Sequence, residues 1–269
     1  MLERISAGPH YATYKIGDLT VTSLRDGYVD MPVRRLRQPG DKPFGDLPPQ
    51  VPLFDGALRL SVNAFAIDDG EDITLIDTGS SNAWHPTMGF LPQALSEAKI
   101  ALDRIHTVAF THTHLDHIQG LILPDGRDGF PQLSRLLVPR AELDMFRLEA
   151  RLSRFHDRAQ PLDPGQHLSA NIEAIAAPGH EIGHTCFRVA SHGETLLVWG
   201  DLVHAPSLQF DRPKVVWEFD ADQEQARATR LLILALAADN AWCVAGAHLD
   251  SPGVGRISRT ETGYRFEPL

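Results

Sequence analysis

Thr111-His112-Thr113-His114-Leu115-Asp116-His117 places three imidazoles and two hydroxyls beside a carboxylate, with the charged and imidazole groups confined to residues 112 to 117. Burying so many polar groups together is costly without a cation to bind them. Neutral imidazole and carboxylate are also the donors that borderline divalent metals such as zinc prefer. The preceding run Thr107-Val108-Ala109-Phe110 is short, apolar and β-branched, and Ile118-Gln119-Gly120-Leu121-Ile122 follows. The histidines therefore sit where a buried strand ends and a loop begins. A surface tract that binds metal adventitiously would be polar on both sides, whereas this one is embedded in core residues.

Three further donors lie downstream, each after an apolar, strand-like run. His180 in Pro178-Gly179-His180 follows residues 172–177, Asp201 in Gly200-Asp201 follows 196–199, and His248 in Gly246-Ala247-His248 follows 242–245. Strand-end positions of this kind converge along one edge of a sheet. In order and local context these pieces, with the Asp77-Thr78-Gly79 turn after the strand 73–76, resemble the metallo-β-lactamase-fold hydrolase superfamily. The resemblance runs from about Leu60 to the C-terminus. It implies an α/β fold of the αββα sandwich type, two mixed β-sheets stacked face to face with helices outside; periodicity alone supports only a mixed α/β chain.

The resemblance also implies a division of the donors. His112, His114 and His180 would hold one metal, Asp116, His117 and His248 a second, and Asp201 would bridge both. The implied cofactor is two divalent metal ions per chain, zinc first, with manganese, iron and cobalt as other candidates. Two cations about 3.5–4 Å apart share a water and lower its pKa toward neutrality, so a metal-bridging hydroxide is the implied nucleophile, with Asp116 and Asp201 part of the catalytic apparatus.

The segments Leu202-Val203-His204-Ala205-Pro206-Ser207-Leu208-Gln209-Phe210, Phe219-Asp220-Ala221-Asp222, 247–255 and Gly263-Tyr264-Arg265 look like the methyl parathion hydrolase branch. The expected function is cleavage of esters or lactones, with phosphotriester hydrolysis as a related activity. The nearby alternative is an acyl-homoserine lactonase, in which a tyrosine stands three positions after the bridging aspartate; here that place is His204. An iron-dependent oxidoreductase of the same fold is less favoured, because such proteins carry Glu at the position of His114. His204 is accordingly a candidate to hydrogen-bond a substrate oxygen or transfer a proton, against the plainer reading of a core histidine. His184 is expected to support the ligands from behind. His10, His85, His106, His156, His167 and His192 lack ligand context.

The rest of the 269 residues frames this site. A content of 43% hydrophobic and 22% charged residues, with no Ser/Gly linker, is that of one globular domain spanning 1–269. The net charge of −10, from 25 Lys+Arg against 35 Asp+Glu, argues against a nucleic-acid or anionic-membrane surface. A neutral small molecule is the expected partner, with homodimerisation left open. The start, Met1-Leu2-Glu3-Arg4-Ile5-Ser6, lacks an apolar signal-type core, and a cytoplasmic location is expected. Cys186 and Cys243 lie in apolar runs and read as buried structural thiols.

Along the chain, residues 14–29 read as an opening hairpin about Gly17-Asp18. Six prolines between Pro32 and Pro52 then make 30–56 a long loop, expected near the pocket or a dimer interface. Strands are expected at 58–67, 72–76, 105–110, 136–138, 172–176, 185–189 and 196–199, with a last one at 242–245. Helices are expected at 91–98, 141–152 and 222–238, and a loop at 161–165. Phe44, Trp84, Phe90, Phe210 and Trp217 are the candidate pocket walls.

Overall fold

In the computed structural model, which describes residues 2–269, the opening alternation becomes the strands Tyr11–Ile16 and Leu19–Pro32, turned at Gly17-Asp18. Leu19–Pro32 pairs antiparallel with Ala57–Asp68, which pairs in turn with Ile73–Ile76. From there the chain adds parallel strands, Ile105–Ala109, Arg135–Pro139 and Ala159–Leu162, to complete an eight-stranded sheet whose far edge is Glu3–Ala7. Ile73–Ile76 is buried at every position. Both of its faces are covered, Thr74 included.

The second half builds a seven-stranded mixed sheet in the order His167–Ser169, Ile172–Ala176, Thr185–Ser191, Glu194–Val198, Cys243–Ala245, Val254–Arg259, Tyr264–Pro268. The two sheets face each other across one core, in which Val21, Phe65, Ile76 and Leu137 of the first meet Ala174, Phe187, Val189 and Val198 of the second. Phe65 and Phe187 are fully buried there, each contributing on the order of 2–3 kcal/mol by removal from water. Helices cover the outer faces. Leu91–Glu97 and the helical turns between 115 and 158 pack on the first sheet, and Gln223–Asp239 packs Ile233, Leu234 and Ala237 on the second. The last helix starts where Asp222 accepts a hydrogen bond from the Gln225 N–H at 2.9 Å. The α/β fold is thus the expected αββα sandwich. Among the described residues no helix is long and apolar enough to cross a membrane.

Several expectations are corrected. The helix expected at 141–152 is three pieces, a 3₁₀ turn Arg140–Glu142, an α-helix Leu143–Leu148 and a run of 3₁₀ turns Ala150–Arg158, the last break falling where Glu149 turns extended and its side chain caps the Arg151 N–H. Ala150 is exposed, and Leu152 and Phe155 take the buried places. Strand 242–245 is not the last, since the hairpin Val254–Arg259/Tyr264–Pro268 follows it. Part of the loop expected at 161–165 is the edge strand Ala159–Leu162, where Pro161 is tolerated. The 30–56 loop folds partly into a three-stranded sheet of Leu36–Gln38, Lys42–Pro43 and Val216–Trp217, with Leu36, Phe44 and Val51 packed on Leu208, Val215 and Trp217.

Gly120 shows how tightly the first sheet's loops meet. Its N–H donates to the Gly79 carbonyl, and a Cβ there would lie 1.8 Å from the Thr78 carbonyl oxygen. Gly120→Ala is expected to cost about 3 kcal/mol or more, a fall in Tm of roughly 6–12 °C. An unaltered thermal melt would show that the backbone yields at this point.

Candidate metal centre

All seven expected donors sit at strand ends on one edge of the sandwich. The 112–117 cluster follows Ile105–Ala109 in the first sheet. His180, Asp201 and His248 follow Ile172–Ala176, Glu194–Val198 and Cys243–Ala245 in the second. Parallel pairing of Glu194–Val198 with Cys243–Ala245 brings the last two to the same level.

Asp201 lies at the centre. Its Oδ2 is 3.0 Å from His248 Nε2, 3.3 Å from His180 Nε2, 3.3 Å from His204 Nε2 and 3.7 Å from His112 Nε2, while its Oδ1 faces His117 Nε2 at 3.2 Å. Asp116 Oδ2 is 3.6 Å from His248 Nε2 and 3.8 Å from His117 Nε2. His114 Nδ1 is 3.1 Å from His180 Nε2. Among the described residues four overlapping groups have ligand atoms within 4.8 Å of one another: His112, His114, His180 and Asp201; Asp116, His117 and His248; His180, His204 and Asp220; and Asp201, His204 and His248. The first two hold the same residues as the division that the resemblance implies, and the other two bring His204 into the same cluster.

The imidazoles are aimed by what holds their other nitrogen. His117 Nδ1 donates to Asp77 Oδ2 at 2.8 Å, His180 Nδ1 to Asp220 Oδ1 at 2.9 Å, His248 Nδ1 to the Ser61 carbonyl at 2.7 Å and His114 Nε2 to Glu181 Oε1 at 2.8 Å. His112 Nδ1 meets Thr111 Oγ1 at 3.1 Å, and that hydroxyl donates to Asp77 Oδ2. Each partner fixes a tautomer and turns the free lone pair into the shared volume.

A pair of metal cations fits this donor set. His112 Nε2, His117 Nε2 and Asp201 Oδ1 are fully buried without a hydrogen bond, a costly arrangement unless something binds them. Burial works against a charge on His180, yet the carboxylates of Asp201 and Asp220 on either side hold it up to about 10. The local field thus calls for positive charge between them, which a metal supplies while leaving the imidazole neutral.

Supporting residues that sequence reading missed complete the site. The Asn63 amide, from the first sheet, donates to the carbonyls of Gly246, Ala247 and Leu249 at 3.2, 3.1 and 2.9 Å and so holds the turn carrying His248. Glu142 accepts from the Thr113 N–H and hydroxyl and from the Gly183 N–H, tying the first cluster to the turn carrying His180. His184 supports the site as expected. Its Nδ1 donates to the Ala177 carbonyl and its Nε2 accepts the Asp201 N–H at 3.0 Å, with burial pushing it down to about 3. Gly200, at φ 54°, is where the chain passes close to it, since a Cβ there would lie 2.8 Å from His184 Nε2.

His204 differs from the five imidazoles above. Among the described residues neither ring nitrogen has a well-aligned hydrogen bond, Nε2 facing only Asp201 Oδ2 at 3.3 Å, and the ring is stacked between Trp217 and His248, 5.2 Å from each centroid. Burial lowers it to about 4, so it is neutral at pH 7.

Over the donors opens a cleft of about 290 Å³ whose walls include Val29, Met31, Leu60, Trp84, Trp217 and Phe219. Of the candidate aromatics, Trp84 and Trp217 line it and three do not. Phe44 is buried behind it in the loop cluster, Phe90 stacks on His10, and Phe210 packs on Phe266 and Trp199 at the outer face of the second sheet. Among the described residues no Lys or Arg lines the cleft, and Glu181 stands at its edge. The remaining histidines lie outside the cluster, His10 paired with Glu97, His106 with Asp72 and His192 with Asp18. Cys186 and Cys243 are free and buried.

The profile of the Metallo-beta-lactamase superfamily matches residues 57–248, which span all seven donors. The chain belongs to that superfamily, whose fold is built around divalent metal ions. It is 29% identical over 134 residues to a hydroxyacylglutathione hydrolase of Rhodobacter capsulatus, covering 44% of this chain and 47% of that protein. It is 31% identical over 155 residues to the lactamase-like protein vrtG of Penicillium aethiopicum, covering 55% and 42%. The chain thus spans under half the length of these curated relatives. Among solved structures it is similar to the hydrolase AbOPH of the β-lactamase superfamily (TM-score 0.84, 24% identity, 98% and 99% of the two chains). It is also similar to AidC, a dizinc quorum-quenching lactonase (TM-score 0.80, 22% identity, 97% of each chain). At these identities the structural likeness speaks for the fold.

Proposed function

We propose that this chain is a dinuclear, zinc-dependent hydrolase of neutral esters or lactones, with phosphotriesters as related substrates. The observation that carries this reading is an apolar cleft, free of Lys and Arg, opening onto seven convergent metal donors. A dianionic phosphate would find no clamp in such a cleft, whereas a neutral carbonyl or phosphoryl compound would enter it. The relatives named a dizinc lactonase and a hydroxyacylglutathione hydrolase support ester-type chemistry. A lactonase reading stands beside the esterase one, and a methyl parathion hydrolase-like branch remains part of the proposal through the segments around His204 and Asp220.

Two bound divalent cations would supply a water nucleophile active at neutral pH and polarise the substrate oxygen. The chain's own residues do the rest. His112, His114 and His180, and Asp116, His117 and His248, would hold the ions, with Asp201 between them. Trp217 and Phe219 form part of the cleft wall. His204, neutral, with Nε2 3.3 Å from Asp201 Oδ2 and Nδ1 without a protein partner among the described residues, is placed to give a hydrogen bond to the substrate oxygen or carry a proton to the leaving group. His204→Phe, which retains the stack on Trp217, is expected to lower kcat by roughly 100-fold with metal content intact. Unchanged kcat would assign His204 a packing role.

The reading is tested by kcat/KM over a panel of aryl esters, aliphatic lactones, homoserine lactones, a phosphotriester, a phosphomonoester and a β-lactam. Esters, lactones or the triester should lead. A ranking led by the β-lactam or the phosphomonoester, with the others at background, would refute the substrate class.

A further inference from the structure

Three consecutive residues, Glu218-Phe219-Asp220, border the cleft, and each meets a different partner. Asp220 receives His180 Nδ1 at 2.9 Å and the Trp217 N–H at 2.9 Å, and lies 3.7 Å from Arg230. Glu218 is gripped by two guanidinium groups at once, Arg35 on one carboxylate oxygen and Arg37 on the other, and its N–H donates to the Arg35 carbonyl at 2.7 Å. Phe219 lines the cleft at 45% exposure, with the Arg35 guanidinium 4.3 Å from its ring centroid. Arg37 also meets Asp41 at 3.1 Å, and Asp41 accepts from Gln223 Nε2. The two arginines belong to the Pro-rich loop, whose strand Leu36–Gln38 is hydrogen-bonded to Val216–Trp217.

An isolated exposed ion pair contributes about 0.2–1 kcal/mol and fixes little. Here two cations share one half-buried carboxylate, a backbone hydrogen bond joins the same residues, and one guanidinium also covers the neighbouring ring. What this arrangement determines is where Phe219 stands. The ring is too exposed for core packing to hold it, while the residue after it is anchored to His180.

We propose that the Arg35–Glu218–Arg37 clamp is a specificity device: it sets Phe219 as the wall against which the apolar part of a substrate packs, favouring bulky neutral substrates over short ones. This rests on the hydrolase reading for its kinetic test, but its binding test does not. Glu218 and Arg35 act through Phe219, so they are positioning residues.

The experiment compares the wild type with Glu218→Gln, Phe219→Ala and the double variant. The ratio of KM for an aryl or long-chain ester to KM for a short ester should rise about tenfold in Glu218→Gln, the scale of one apolar contact. Metal content should be unchanged. Phe219→Ala should reproduce that rise, and the double variant should add little to it, because both changes remove one interaction. In parallel, a neutral aryl amide is titrated by intrinsic fluorescence, which Trp84 and Trp217 in the cleft report, and its Kd should weaken about tenfold in Glu218→Gln. If the wild type cleaves no ester or lactone while the amide shift appears, the hydrolase reading falls and the clamp stands. An unchanged KM ratio and amide Kd in Glu218→Gln would overturn the clamp. So would equal losses for bulky and short substrates together with loss of metal, since the segment would then serve His180 through Asp220 alone.

Discussion

Asp201→Ala is expected to lower kcat by three orders of magnitude or more, about 4 kcal/mol of transition-state stabilisation, and to yield protein carrying one metal equivalent or fewer. Its two carboxylate oxygens face five imidazoles, His117 on one side and His112, His180, His204 and His248 on the other. Its carboxylate faces donors of both groups, so removing it disconnects them and takes away the charge that draws cations between them. Asp201→Asn retains the volume but turns an amide N–H toward imidazole lone pairs, and it should fail almost as badly. The fold should survive both changes, because the contact to His184 uses the Asp201 main-chain N–H. Circular dichroism checks the fold, elemental analysis the metal and steady-state kinetics the rate. Near-normal rate and metal content in either variant would remove Asp201 from the bridging position.

Purified protein is expected to carry close to two metal equivalents per chain, and stripping them should have the second large effect. Dialysis against a chelator should take activity to background and lower Tm by roughly 10 °C or more. An ion that binds only the folded state at about a thousand times its Kd stabilises it by about 4 kcal/mol, worth roughly 8–16 °C in a domain of this size. The loss should be large because the stripped site leaves His112 Nε2, His117 Nε2 and Asp201 Oδ1 buried and unpaired. Adding back zinc should restore both activity and Tm. Uptake of a single equivalent on titration, or an unchanged melt in protein shown to be metal-free, would be incompatible with a dinuclear centre.

The donors were legible in sequence because imidazole and carboxylate at strand ends are conspicuous against apolar runs. Helix Gln223–Asp239 was legible to within a residue of each end. What escaped was decided by tertiary geometry. Strand Glu3–Ala7 is exposed at every position, so it has no buried face to imprint a period. The break at Glu149 comes from a local side-chain cap that competes with a helical pattern. Asn63 lies within a strand, and nothing in Val62-Asn63-Ala64 announces that its amide crosses to the turn of His248. The aromatics divided on which side of a sheet they occupy: Phe210 faces the outer layer under the last helix, while Phe219, a residue away from the ligand network, faces the cleft. Aromatic character told nothing about that choice.

The donors run from residue 112 in one sheet to residue 248 in the other, and this separation has a meaning for how the molecule comes into being. During synthesis the four candidate donors at 112–117 emerge first, with the carboxylate of Asp201, the proposed bridge, still 84 residues short of being added. A cation met at that stage would find only part of its coordination, so the early chain gains little from it. Full coordination waits for the second sheet to dock and for residue 248 to be in place, a late, long-range event in folding. Metal capture by the proposed centre would then come as a latch at the end of assembly, closing on chains whose two layers are already joined.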